Sequence, residues 1–349
     1  MGTKYTMTDE TIEMDGHILH RIEALTDIPY AKVKAGDKGG FIESEKNLSQ
    51  EGSCWVSDNA QVFGNAEVSD RAGVFNNAQV SDNAHVCDDA RVRDYAKVFR
   101  GAWVFGDAQV YDNARVFDNA RVRDYAKVFD NARVFGHAQV FGGARVSGDA
   151  GVYDGAKVSW RASICDNAIV SGSAKVSGSA KVSGLAWVTD NAIVFGDAQV
   201  FDNAQVFGDA QVFGGAHVFE DAQVYDGAKV SGCAWVSGNA WVFGDAQVLE
   251  GAHVFGGAQV SGRAKVSWYA RICDNAIVSG NAEVYDSAKV SGDAQVSGNA
   301  WVYGNAQVYD SAKVSDNAWV FGDAQVSGNA QVSGNVQVSG TTKLSGESA

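Results

Sequence analysis

The sequence predicts an all-β solenoid: a chain wound into coils of three short parallel strands, behind a small N-terminal cap. Three observations carry this expectation. From Val56 to Leu344 an aliphatic residue recurs every six positions without insertion or deletion, 49 positions in all, and only Ile164, Ile272 and Leu344 replace valine. Within each unit, as in Ala60-Gln61-Val62, small or apolar residues flank a polar one, the period-two signature of a strand with one buried face. The three positions that follow, as in Phe63-Gly64-Asn65, suit a turn, because Gly, Asn and Asp tolerate a positive φ. Strand and turn repeated three times give a triangular coil of 18 residues, so the 49 positions make about 16 coils.

The first 55 residues lack the repeat. Thr11 to Ile22 read as a hairpin around Asp15-Gly16, a strong turn dipeptide. Val33 to Ser44 then lead into Leu48 and Cys54-Trp55-Val56. Ile42 and Leu48 stand six apart, so the first coil starts here and is adjusted before Val56. The chain therefore divides into a cap with an irregular first coil, 1–55, and one solenoid, 56–349, the cap covering the open end as terminal repeats must. Gly36-Asp37-Lys38-Gly39-Gly40 superficially suggests a phosphate cradle. A P-loop needs G-x-x-x-x-G-K-[ST] ahead of a helix, and a turn feeding the first coil fits this stretch better.

Longer echoes run through the repeats. Ala156 to Gly172 nearly recurs from Ala264 to Gly280, an offset of 108 or six whole coils. Ala90 to Phe99 recurs from Ala120 to Phe129, an offset of 30, which keeps the six but not the eighteen. Towards the end Val336 and Thr342 replace alanine, the corners become Ser/Gly-rich, and no helix or charged segment follows the last repeat. An uncovered coil carries the liability of an edge strand, so self-association through the C-terminal coil, or docking there on a protein partner, is expected.

Composition narrows the function. The formal charge is −14, so nucleic acid is not an expected partner. No apolar run approaches the roughly 20 residues of a membrane span, and no signal-peptide core is present, so a cytoplasmic protein with no membrane partner is expected. The five cysteines agree with a reducing compartment. Cys165 and Cys273 would lie roughly 29 Å apart at one strand spacing per coil, too far for a disulfide, and no Cys/His zinc spacing occurs.

The hexapeptide unit resembles that of left-handed parallel β-helices, the fold of many acyltransferases. The stretches His20-Arg21-Ile22-Glu23-Ala24-Leu25, Val33 to Ser49 and Cys54-Trp55-Val56, followed directly by repeats, resemble the start of the YdcK-like hexapeptide proteins of bacteria and their prophages, which commonly carry an acetyltransferase label. The resemblance, not the periodicity, implies the left hand of the coil. It also implies acyl-CoA chemistry with a histidine base in a cleft between trimer subunits.

Residues that would carry such chemistry are sparse. His85, His217 and His253 fall at outward mid-strand positions and His137 in a turn, all read as surface residues. His17 and His20 in the hairpin are slightly better candidates for a general base, which needs an orienting partner, although cap packing is the preferred explanation for them. Asp94, Asp112 and Asp130 recur at one turn position, a column about 4.8 Å per step that would suit calcium. Aromatic ladders are the last candidate: Phe99, Phe117, Phe135 and Tyr153 recur at a spacing of 18, as do Trp301 and Trp319, and would serve as partner-binding stripes. The reading that results is a non-catalytic solenoid of bacterial or prophage origin, a scaffold or macromolecule binder without cofactor. An acyltransferase using acetyl-CoA is the alternative, and a phage-encoded acidic decoy or inhibitor a third class.

Overall fold

The computed structural model describes residues 3–346; residues 1, 2 and 347–349 lie outside the description, and with them the last three residues of the solenoid as delimited from sequence. The chain forms two compact units, residues 1–173 and 174–349. Each is a parallel β-solenoid, and a strand contains every one of the 49 registered positions.

Unit 1 opens with β1 (Tyr5–Met14) and β2 (His17–Ala24), antiparallel and joined at Asp15 and Gly16, both with positive φ. The third strand, β3 (Lys38–Ile42), pairs antiparallel with β2 and parallel with Gln61–Val62. Thus β3 is both the last strand of the cap and the first of the solenoid. Ile42 sits beside Val62 and Leu48 bridges Val68, each twenty residues on, whereas Val56 pairs with Val74, eighteen on. The first coil is therefore two residues longer than the rest, and the surplus lies between Leu48 and Val56, as the sequence spacing anticipates. The glycines of the supposed phosphate cradle serve close packing. A Cβ on Gly40 would stand 2.5 Å from the Ala60 carbonyl oxygen, and one on Gly39 2.6 Å from that of Val56.

Twenty two-residue strands follow, from Trp55–Val56 to Ile169–Val170, on three faces. The first face carries Gln61, Gln79, Lys97, Arg115, Arg133 and Gly151 in register. The second carries Glu67, His85, Trp103, Arg121 and Gln139, and the third Arg91, Gln109, Lys127 and Arg145. Inside, valine stacks on valine and alanine on alanine, all fully buried. Unit 2 repeats the scheme with strands from Lys175–Val176 to Lys343–Gly346.

The hexapeptide dictates the hydrogen bonding. Gln61 N donates to Ala78 O at 2.9 Å and Phe63 N to Val80 O at 3.0 Å, tying each strand to the next coil. Most corners are closed by an alanine N–H, as from Ala60 to Ser57 O at 3.0 Å. The corner residue holds a φ near +58°, for example at Asp58, Asp70, Asp112 and Asp130. At most corners where it is aspartate, its Oδ2 accepts the corner N–H one coil further on: Asp88 from Gly106 at 3.0 Å, Asp130 from Gly148 at 3.0 Å and Asp124 from Gly142 at 3.2 Å. A backbone donor that the turn geometry leaves over is thereby satisfied.

Candidate functional site

Unit 1 gathers the candidate residues on its first face. Directly after each buried valine of that face comes an outward residue, and these form a second column: Phe63, Ser81, Phe99, Phe117, Phe135 and Tyr153. Phe99, Phe117, Phe135 and Tyr153 stack with centroids 4.8–4.9 Å apart and interplanar angles of 4–15°. Offset stacks of this kind are worth about 0.5–1.5 kcal/mol per pair beyond area burial. The expected ladder therefore exists as one continuous stack in unit 1. In unit 2 Trp301 and Trp319 stack at 5.1 Å and 5°, beside a Tyr285–Tyr303–Phe321 ladder.

Ser81 interrupts the column between Phe63 and Phe99. The missing ring opens a groove of about 510 Å3, which the hairpin tip roofs with Asp15 and His17, while Gln79, Lys97 and Arg115 line its floor. His17 packs against the Phe63 ring at 5.2 Å. Its Nδ1 lies 2.9 Å from Glu43 Oε1, and the other Glu43 oxygen accepts the Gly64 N–H at 2.7 Å. The His17 hydrogen bond, aided by that N–H, holds the Glu43 carboxyl below its ordinary range despite opposition from burial. A histidine fixed by a carboxylate beside a groove is the arrangement a general base requires. The spacing of His17 and Glu43, 26 residues across a turn and a strand, hid this pair. His20 is engaged elsewhere, with its Nδ1 3.0 Å from Thr8 O.

Of the remaining histidines, His137 lies in a turn, its N–H donating to Asp154 O at 2.6 Å, and the other three lie on the faces. His85 packs on Trp103 at 4.4 Å, and in unit 2 Trp235 fills the step between His217 and His253, at 5.5 Å and 5.2 Å.

Asp94, Asp112 and Asp130 occupy one column of corners, as the spacing requires. Their oxygens are engaged in hydrogen bonds. Asp94 accepts from Asn76 Nδ2 at 2.7 Å and Arg93 Nη1 at 2.6 Å, Asp112 from Asp130 N at 3.4 Å, and Asp130 from Gly148 N. Counter-charge for Asp94 comes from its neighbour Arg93, which also covers the Tyr111 ring at 4.1 Å, and the echo at offset 30 builds the same pair at Arg123 and Asp124, 2.9 Å. Among the described residues the set of three whose ligand atoms lie within 4.8 Å of one another is Asp70, Cys87 and Asp88. Burial, then Asp88 and Asp70, push the Cys87 thiol up to about 11, so it is protonated at neutral pH. No disulfide joins any of the five cysteines among the described residues.

Sequence reasoning also passed over three exposed corner aromatics. Trp160, Trp268 and Tyr269 adopt φ of 51–64° where Asp or Gly is usual, and are 56–70% exposed. The signal was a tryptophan standing where the repeat prescribes a turn residue. No helix among the described residues is long and apolar enough to cross a membrane.

Comparison with known proteins adds to this geometry. None of the curated proteins compared matches the sequence. A solved structure from Desulfovibrio desulfuricans G20 that carries an acetyltransferase label is 9% identical, and the match covers 61% of this chain and 62% of that one. Its TM-score of 0.14 is too low to carry an argument about fold or activity. The YdcK β-solenoid repeat family matches at residues 108–124, 270–286, 294–311 and 324–340. With such matches in both units, and a strand and corner found at every hexapeptide between them, the coils of this chain form a parallel β-solenoid whose matched segments are similar to YdcK β-solenoid repeats.

Proposed function

We propose that this chain is a non-catalytic solenoid that binds or scaffolds an extended macromolecule along its flat faces. The observation that carries the reading is the first face of unit 1, where a cationic column and an aromatic ladder run side by side at one residue per coil. A surface that repeats at the strand spacing of about 4.8 Å suits a partner that is itself extended and repetitive. Aromatic and arginine side chains are the residue types that dominate binding energy at interfaces. A bacterial cytoplasm fits five cysteines not joined by disulfides, since such a compartment keeps thiols reduced.

A second reading, acyl transfer from acetyl-CoA, is favoured by one feature, the His17–Glu43 pair at the groove. The two are separated by titrating acetyl-CoA into the full chain by calorimetry and following CoA release with amine and hydroxyl acceptors. Neither saturable binding nor turnover is expected. Turnover that disappears in His17→Ala would overturn the non-catalytic reading.

A further inference from the structure

The first face of unit 1 has a chemical selectivity of its own. Lys97, Arg115 and Arg133 occupy one outward position in three successive coils, all exposed, and none forms an ion pair among the described residues. Like charges directly opposite one another in neighbouring strands destabilise a sheet. The fold does not need them, because Gln61 and Gln79 fill the same column two coils earlier, where Gln79 Nε2 donates to Gln61 Oε1 at 3.1 Å. Three successive cations replace that favourable ladder in a chain whose formal charge is −14. The local balance is reversed as well: residues 91–145 hold ten Lys and Arg against six Asp.

We propose that this strip binds a linear acidic polysaccharide, with uronate carboxylates on Lys97, Arg115 and Arg133 and sugar hydroxyls in the groove at Ser81. The proposal rests on the binding reading above and names its ligand class. Guanidinium groups pair with carboxylates through two parallel hydrogen bonds, and a column at one charge per coil matches a polymer bearing acid groups at regular intervals. Nucleic acid fits less well. Single strands are held by bases stacking on open aromatic faces, but here the rings of Phe99, Phe117, Phe135 and Tyr153 cover each other's faces and present their edges. Ring edges carry the positive end of the quadrupole, which adds to the preference for anions. In the groove Asp15 accepts hydrogen bonds from hydroxyls, and Gln79 can both donate and accept, which suits the hydroxyl-rich rings of a sugar.

The experiment measures fluorescence anisotropy of labelled oligogalacturonate with the full chain, with oligo-dT and an uncharged glucan oligomer as comparators. The variant Lys97→Gln/Arg115→Gln/Arg133→Gln inserts the residue this column already uses, so the coil is retained, and a melting curve checks that. Arg91→Gln/Lys127→Gln/Arg145→Gln on the third face removes the same charge elsewhere. Wild type is expected to bind the uronate oligomer with an affinity that falls with added salt. The first-face variant should bind roughly tenfold more weakly or worse, and the third-face variant within about twofold of wild type. The proposal is overturned by absence of uronate binding, by equal losses in both variants, or by equal affinity for the uncharged glucan. Binding of oligo-dT through the same three residues as tightly as the uronate would replace the polysaccharide with nucleic acid. Acetyl-CoA turnover lost in His17→Ala would sink the non-catalytic reading alone. Absence of both uronate binding and turnover would sink the polysaccharide alone.

Discussion

A single aspartate at a corner shows how the repeat balances strain against bonding. Holding an L-residue at φ near +58° costs about 1–2 kcal/mol relative to its usual conformations. The carboxylate offsets this by accepting a backbone N–H from the next coil, as Asp130 does from Gly148. Asp130→Ala keeps the strain and loses the acceptor, so a loss of about 1–3 kcal/mol is expected in chemical denaturation. Asp130→Asn, which tolerates the left-handed region and keeps an acceptor oxygen, should lose much less. Calcium gives the second readout. The hydrogen-bonding role predicts an unchanged Tm, whereas a metal site would raise the Tm of wild type but not of Asp112→Asn. The sequence period placed Asp94, Asp112 and Asp130 in one column. It could not show that Asp112 and Asp130 take backbone N–H groups while Asp94 takes side-chain donors, because that depends on the corner dihedral and the neighbouring side chains and not on spacing. His253 adds a pH effect. Burial, then the Arg271 charge, hold its imidazole below the ordinary value, so the unfolded chain binds the proton more readily than the folded one. Stability from this group is full above the unfolded pKa of about 6.5 and is lost as pH falls below it. His253→Gln should therefore show a smaller fall in Tm between neutral and mildly acidic pH than wild type, and identical profiles would refute the role.

At the scale of elements, the join between cap and solenoid was legible because hydrophobic spacing survives there. Ile42 and Leu48 keep the six, and the surplus before Val56 announces the longer first coil. What spacing could not give is the reason for Gly39 and Gly40, whose backbones pass within a Cβ distance of the coil beneath. Gly40→Ala forces a methyl group against the Ala60 carbonyl and should cost about 1–3 kcal/mol, as overpacking does. Amide exchange would report it as lost protection in the β2–β3 pairing, while strands beyond residue 91 keep theirs. The groove was hidden for the opposite reason: the ladder was read from the rings present, and the informative residue is the one ring missing, at Ser81. Ser81→Phe restores the aromatic column between Phe63 and Phe99. Two new stacked pairs at about 0.5–1.5 kcal/mol each should raise the Tm, and the filled groove should no longer admit a ligand beside His17. A lowered Tm would show that the hairpin tip, not the serine, shapes the groove.

At the scale of the whole molecule, net charge was a poor guide, since −14 conceals the cationic stretch 91–145 and its in-register column. Periodicity was a good guide because a solenoid couples each coil only to its neighbours, so a rule for one hexapeptide is a rule for all. The same coupling bounds how far damage spreads. Val212 is fully buried between Val194 and Val230 and has no polar group within its stack to pair with an acid. Val212→Asp buries an unpaired carboxylate, which costs several kcal/mol even if the group protonates. In a globular core such a penalty would unfold everything together. Here the coils are linked in series, so protection from amide exchange should collapse around residues 194–230 and recover with distance along unit 2. Strands of unit 1 such as Arg115–Val116 should exchange as in wild type. A uniform loss across both units would mean that the solenoid folds as one cooperative block, and nearest-neighbour coupling would then be the wrong physical description of the chain.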